Sequence, residues 1–158
     1  MQREEVKRRL CNALREVNEK DAILLEYDVS ERCIASRLAM YLQARFPGHS
    51  VDVEYNRDGG EPKRLNLPGE CANRWDRYGS SLVVPDVVLH RRGRGGANLL
   101  VLELKKLGDP DALECDSKRV RAFRHTFGYT FGALIGCETR KGHTPRVALS
   151  KWFDDQEP

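Results

Sequence analysis

The sequence predicts one α/β domain, because segments with helical and strand-like patterns alternate along a chain of 158 residues. Three segments repeat apolar residues at three- and four-residue steps, the period of an amphipathic helix. Short apolar runs with the length of strands lie between them. After an N-terminal helix at about 2–18, we expect a core at about 28–150 in the order helix, three strands, helix, and one or two strands. A chain of this length can bury a sizeable core without disulfides or metals.

Composition narrows the class of protein. Hydrophobic residues make up 40% and charged residues 32%, so disorder is not indicated. The net charge of +3 is too small to indicate a polyanionic partner by itself, although Arg and Lys cluster locally. The chain has no apolar run near the length of a membrane span, and we expect no membrane association.

Cysteines and histidines are scattered. Five cysteines and four histidines occur without a Cys-x-x-Cys or His-x-x-x-His pair, so structural zinc is not expected. The N-terminus shows no secretory pattern. An odd, dispersed set of cysteines predicts reduced thiols and a cytoplasmic location. The cysteines stand at positions 11, 33, 71, 115 and 137.

The first half of the chain predicts two helices and a strand. A second helix begins after Asp28-Val29-Ser30-Glu31 and ends at Pro47-Gly48. Residues 51–55 alternate with period two, which is typical of a strand with one buried face. The inner positions of the first helix are Val6, Leu10, Ala13, Leu14 and Val17, and those of the second are Ile34, Leu38, Tyr41 and Leu42.

The second half predicts the remaining elements. Residues 56–79 form a long basic loop, and loops of this length are often functional. Strands follow at 83–89 and 99–106, joined by an Arg- and Gly-rich turn. Asp109-Pro110-Asp111 begins a third helix, strands follow at 129–137 and 146–149, and the last five residues fray. The helix has an inner face of Leu113, Val120, Phe123 and Phe127.

Two of the predicted strands each carry a carboxylate within an apolar run, Asp86 in one and Glu103 in the other. An isolated buried carboxylate costs on the order of several kcal/mol unless it is paired. Strand alternation puts Glu103 and Lys105 on one face. If the hairpin pairs residue 86 with 103, across a turn of about six residues, Asp86 lies within about 5.5 Å of Glu103.

This arrangement predicts a magnesium site, because Mg²⁺ favours one or two carboxylates and keeps waters for a phosphate substrate. An ammonium at Lys105 would activate or position a water. Glu31 is the fourth candidate, since it lies on the helix face that packs on the sheet. Its alternative role is local: Asp28 and Glu31 have capping-box spacing, in which Glu31 caps the Asp28 amide.

These residues resemble the PD-(D/E)xK nuclease superfamily, with Pro85-Asp86 as the first half of the motif and Glu103-Leu104-Lys105 as the second. The resemblance spans about 28–137. It implies a three-layer restriction-endonuclease-like fold with a central mixed sheet flanked by helices. It also implies a divalent-metal site and hydrolysis of phosphodiester bonds, usually in DNA. By the resemblance Asp86 and Glu103 bind metal, Lys105 positions or activates water, and Glu31 matches the acid of the first core helix.

Basic residues near this site are candidates for nucleic-acid binding, because Arg matches phosphate oxygens and aromatic rings stack on bases. Solvated surface charge is the alternative for each of them. The candidates are Arg91, Arg92 and Arg94 in the hairpin turn; Arg57, Lys63, Arg64, Arg74, Trp75, Arg77 and Tyr78 in the long loop; and Lys118, Arg119, Arg121 and Arg124 in the third helix.

The sequence therefore predicts a Mg²⁺-dependent deoxyribonuclease, with endonuclease action favoured, in which Mn²⁺ can substitute for Mg²⁺. DNA is the expected substrate, with RNA as the alternative. Concerted cleavage of both strands would require a symmetric homodimer. The competing hypothesis is a non-catalytic nucleic-acid-binding or protein-interaction module, in which Asp86 and Glu103 form structural ion pairs.

Overall fold

The computed structural model describes residues 1–58, 60–65, 81–93 and 97–155. The helices are α1 (Arg3–Lys20), α2 (Ala22–Glu26), α3 (Glu31–Arg45) and α4 (Pro110–Phe127). The strands are β1 (Ser50–Val53), β2 (Arg57–Asp58), β3 (Glu61–Pro62), β4 (Arg64–Leu65), β5 (Ser81–Leu82), β6 (Val87–His90), β7 (Asn98–Lys106), β8 (Phe131–Glu138) and β9 (Arg146–Phe153).

A five-stranded mixed sheet organises the chain. Its strand order is β1-β6-β7-β8-β9, and only β7 and β8 run parallel to each other. Parallel neighbours need a crossover connection, and α4 lies in the segment that joins them. Two short antiparallel pairs, β2 with β3 and β4 with β5, stand outside this sheet. The α/β class and the mixed sheet agree with the sequence prediction.

Helices pack on both faces of the sheet because the strand side chains alternate. Leu100, Leu102 and Leu104 of β7 join one apolar cluster with α1 and α3. Val101 lies in a second cluster with Val120 and Phe123 of α4. The α4 helix approaches β8 closely at Gly132, where a β-carbon would clash with Val120. Glu103 and Lys105 share the parity of Val101, so strand alternation points their side chains toward α4.

Helix patterns were predicted well. All five predicted inner residues of α1 are buried, and Val120 and Phe123 are buried on α4. Asp109 caps α4 by accepting from the amides of Asp111 and Ala112 at 3.1 Å each, as its place before Pro110 indicated. The apolar run after α1 forms the short helix α2, which the sequence did not predict.

The strand at 83–89 is shorter than predicted. It begins at Val87 rather than Val83. Pro85 has no amide to donate, so a regular ladder does not extend through it. Val83 instead donates to the carbonyl of Lys63 at 3.2 Å. Asp86 consequently lies just before the strand, with its carbonyl accepting from the Glu54 amide at 3.1 Å.

Among the described residues, the state of the cysteines differs from expectation at Cys115. Cys11, Cys33 and Cys137 are free thiols, whereas Cys115 is disulfide-bonded. The prediction that every thiol is reduced is therefore wrong for Cys115. Within the described ranges, none of the helices combines the length and apolar character needed to cross a membrane.

Candidate active site

Asp86 and Glu103 each stand one residue beyond Val87 and Leu102, the last pair of the ladder formed by β6 and β7. Val87 pairs with Leu102, so continuing the antiparallel register by one residue sets Asp86 opposite Glu103. The ladder thus has the register that the predicted pairing requires, although Asp86 itself lies just outside β6. A register shift after Leu89 accommodates the turn that joins the two strands.

Asp86 is held against β7 by a backbone hydrogen bond. Its Oδ2 accepts from the amide of Leu104 at 2.7 Å. Burial raises the pKa of Asp86 to about 6, although the Leu104 bond and the Arg119 charge both oppose the rise. A partly desolvated carboxylate is stabilised by a nearby cation or by protonation.

Glu103 is the most deeply buried acid of the site. It is 2% exposed, and its Oε2 lies 3.4 Å from Nη2 of Arg119. Its Oε1 is buried and has no hydrogen-bond partner among the described residues. Burial, and next the charge of Asp86, raise the pKa of Glu103 well above its usual value. This oxygen is a ready ligand for a cation.

Two further residues of the site, Asp116 and Arg119 of α4, were not assigned to it from the sequence. The basic pattern of α4 predicts a nucleic-acid contact or a solvated surface charge at Arg119, whereas its Nη1 lies 3.3 Å from Oδ1 of Asp116 and its Nη2 contacts Glu103. Asp116 is 6% exposed. A signal was present, because Asp116 stands three residues after Leu113 and four before Val120 on the predicted inner face.

Lys105 lies on the same face of β7 as Glu103. Its Nζ stands 3.9 Å from Oδ2 of Asp116, with 30% of the side chain exposed. The Oδ2 atom of Asp116 is itself buried without a hydrogen-bond partner in the described part of the chain. The ammonium group is therefore next to Asp116 and also accessible to solvent.

Glu31 is fixed at the carboxyl end of β7. Its Oε1 accepts from the amide of Lys106 at 2.7 Å. The capping-box interpretation is wrong, because the Asp28 amide donates to the carbonyl of Leu25 at 3.1 Å. Ser30 caps α3 instead, its Oγ accepting from the Cys33 amide at 3.3 Å. The first turn of α3 thus places an acid near the sheet end rather than closing on itself.

Acidic side chains outnumber basic ones at this site. Four acids influence one another electrostatically, and two cations, Lys105 and Arg119, stand beside them. Four ionised acids would leave two negative charges uncompensated, which a divalent cation would balance. The acids are Glu31, Asp86, Glu103 and Asp116.

A pair of carboxylates is compatible with a hard divalent cation such as Mg²⁺. The described residues contain no group of three or more His, Cys, Asp or Glu side chains placed around one metal position. Mg²⁺ does not require such a cage, since one or two carboxylates suffice while waters and substrate phosphates fill the other positions. Asp86 and Glu103, with the unpartnered Oε1 of Glu103, meet this requirement.

Arg91 and Arg92 lie away from the acids. They follow β6, at the end of the hairpin opposite Lys105, and Asn98 stands five positions before Glu103 in β7. That is about 17 Å of strand. Arg92 is also engaged, since its Nε donates to Oδ2 of Asp52 at 2.8 Å. The structure does not bring these two arginines to the site.

Among the other predicted nucleic-acid contacts, the prediction for Lys63 is wrong. Lys63 is 3% exposed, and its Nζ donates to the carbonyls of Arg57 at 2.6 Å and Tyr55 at 3.3 Å. Its ammonium group is therefore engaged with the backbone at residues 55–57 and is not available to a phosphate. Lys118 is half-buried on α4. Arg124 is buried and binds the Thr130 carbonyl at 3.2 Å and Asp155 at 2.6 Å. Arg74, Trp75, Arg77, Tyr78 and Arg94 lie outside the described residues.

Comparison of the chain with protein-family models, with curated proteins and with solved structures found no significant match to any of them.

Proposed function

We propose that this protein is a metal-dependent nuclease of restriction-endonuclease-like fold that hydrolyses phosphodiester bonds in DNA. The observation that carries the proposal is the register of β6 and β7, which, continued by one residue, sets Asp86 opposite Glu103, with Lys105 on the same face as Glu103. This is the spatial arrangement that the Pro85-Asp86 and Glu103-Leu104-Lys105 motifs imply. The mixed sheet with helices on both faces is compatible with that fold.

Asp86 and Glu103 would hold Mg²⁺, with Mn²⁺ as a substitute. The bound ion supplies Lewis acidity that offsets the charge developing on the phosphoryl oxygens. Burial prepares both acids for this role, because a desolvated carboxylate gains more from a cation than a hydrated one does. The Leu104 amide fixes the Asp86 carboxylate, so its position does not depend on the ion.

Lys105 and Glu31 have separate roles at the reacting phosphate. The Lys105 ammonium orients the attacking water and stabilises negative charge in the transition state. Glu31, anchored by the Lys106 amide, accepts a hydrogen bond from that water. Arg119 is a positioning residue that keeps Glu103 and Asp116 in place through its two amino groups.

A cleavage assay tests this function. Purified protein is incubated with supercoiled plasmid and with linear single strands in Mg²⁺, Mn²⁺ or EDTA, beside the Glu103→Ala and Lys105→Ala variants. We expect metal-dependent cutting that both variants lose and that Glu19→Gln, an exposed change on α1, retains. Cutting that persists in EDTA, or in both site variants, would overturn the proposal.

The alternative is a non-catalytic nucleic-acid-binding or protein-interaction module. The observation in its favour is that Arg119 contacts both Glu103 and Asp116, as in a structural ion-pair network. Those contacts of 3.3–3.4 Å leave the Oε1 of Glu103 unpartnered among the described residues, which favours a further ligand. Salt-sensitive DNA binding without cutting in any metal would support this module.

A further inference from the structure

The turn between β8 and β9 lies at the same end of the sheet as the candidate active site. Because β7 and β8 are parallel, with Lys105 beside Gly136 and Lys106 beside Cys137, their carboxyl ends meet at one edge. Glu138 ends β8 one residue beyond Cys137. The side chain of Arg140 fills the space beside Gly108, which follows β7, at 3.7 Å from where a β-carbon would stand.

This turn also opens on the face of the sheet that carries the acids. Gly132 of β8 faces α4, as its contact with Val120 shows. Alternation along the strand gives Leu134, Gly136 and Glu138 the same orientation. Arg146 pairs with Glu138 across β8 and β9, so it belongs to the same face. Glu103 and Lys105 point to that side as well.

The turn at 139–146 is basic, and some of its cationic side chains are not engaged in ion pairs among the described residues. Residues 139–146 include Arg140, Lys141, His143 and Arg146. Arg140 is committed, because it binds both carboxylate oxygens of Glu138 at 2.9 and 2.6 Å. Lys141 and Arg146 are exposed, and neither forms a side-chain hydrogen bond or ion pair within the described ranges. The Glu138 charge is neutralised locally, so the surface left over is cationic.

A cavity lies at this turn, and of the two available cations Arg146 lines it while Lys141 stands on the turn itself. The amide of His143 donates to the carbonyl of Arg140 at 3.2 Å, and Gly142 has a φ of 84°. These two features define a tight turn, and glycine is the residue that adopts a positive φ most readily in such a turn. Lys141 stands at the tip of the turn. Beside it lies a cavity of about 370 Å³ lined by Glu138, His143, Thr144 and Arg146. Ligand sites begin at about 300 Å³.

We propose that the turn at 139–146 is a phosphate-binding element, which grips the nucleic-acid backbone beside the bond to be cut. The inference rests on the proposed nuclease function. Lys141 and Arg146 contact phosphate oxygens directly, and the Thr144 hydroxyl and His143 ring complete the cavity with polar groups. Phosphate contacts position a strand without reading its sequence, so this element contributes affinity that does not depend on base composition.

The test compares two matched double variants. One is Lys141→Ala with Arg146→Ala. The control is Lys7→Ala with Arg8→Ala, which removes the same two residue types from α1, against the other face of the sheet. Binding of fluorescent single-stranded and duplex oligonucleotides of different sequence is measured by anisotropy in EDTA at several salt concentrations. Cleavage in Mg²⁺ is measured in parallel, and thermal unfolding shows that each variant is folded.

We expect the turn variant to bind about tenfold more weakly at physiological salt and to lose about two units of the salt slope, for every sequence alike. The control should match wild type. Equal affinity of the turn variant and wild type would overturn the inference while leaving wild-type cleavage, and thus the nuclease, intact. Turn-dependent binding without any cleavage would instead support the element and refute the nuclease. Absence of wild-type binding would refute the binding element.

Discussion

Asp86 accepts a hydrogen bond of 2.7 Å from the amide of Leu104, the residue that follows Glu103 in β7. One bond thus ties the first half of the site to the strand that carries the second. The Leu104 side chain points away from the acids, into the cluster with α1 and α3. The position of the Asp86 carboxylate is therefore set by the packing of the sheet.

Replacing Asp86 by Asn should change how stability depends on pH. The folded-state pKa of Asp86, about 6, exceeds its usual value, so the folded chain binds more protons than the unfolded chain. Its contribution to stability is complete below about pH 4 and is lost as the pH rises through about 6. Without metal, Asp86→Asn should raise the free energy of unfolding at pH 7 by about 1–3 kcal/mol.

Urea denaturation in EDTA between acidic and neutral pH measures this effect. Asn keeps an oxygen acceptor for the Leu104 amide, so packing is retained. Asp109→Asn, at the exposed cap of α4, is the comparison. Identical pH dependence in wild type and Asp86→Asn would contradict a raised pKa at this position.

Arg119→Ala should destabilise the protein strongly. Arg119 is the cation in contact with both Glu103 and Asp116, whose side chains are 3% and 9% exposed. Removing one partner of a buried ion pair leaves uncompensated charge and costs about 3 kcal/mol or more. Arg15→Ala, which removes an exposed arginine, should cost far less. Chemical denaturation of the two variants in EDTA decides, and equal losses would show that Arg119 does not carry this role.

Two substitutions of Glu31 separate the effect of its negative charge on cleavage from the effect of its hydrogen bond on stability. Glu31→Gln keeps an oxygen for the Lys106 amide, whereas Glu31→Ala removes it and should cost about 1 kcal/mol of stability. Both variants lose the negative charge, so DNA cleavage should fall in both. Thermal unfolding together with cleavage rates tests this. Full activity in Glu31→Gln would mean that the acid only anchors α3.

The opposition of Asp86 and Glu103 could be predicted because each stands in an apolar run and one hairpin joins the runs. The apolar alternation of a strand determines the face on which a charged side chain lies. The register of the hairpin then determines which residue stands opposite it. The role of Ser30 could not be settled in the same way. Asp28 and Ser30 are both favourable N-cap residues for α3. Which of them caps the helix is decided by a tertiary contact, because Glu31 binds the Lys106 amide and is then not used to cap the Asp28 amide.

Burial of charged side chains was harder to predict. Lys63 occurs among polar loop residues, yet it is buried, with Nζ 4.6 Å from the centre of the Tyr55 ring. No local pattern indicates that a lysine will satisfy backbone carbonyls. Arg119 was missed for a different reason, since α4 carries several basic residues and only the position of Asp116 on the inner face marked the site.

The most direct test of the account is a calorimetric titration of Mg²⁺ into wild type, Asp86→Asn and Glu103→Gln. Both variants keep the shape of the side chain and remove its charge, so a loss of binding can be assigned to the carboxylate. We predict one site per chain in wild type and loss of binding in each variant, while Glu19→Gln retains it. Equal Mg²⁺ binding in all four proteins, or none in wild type, would contradict a metal site at Asp86 and Glu103.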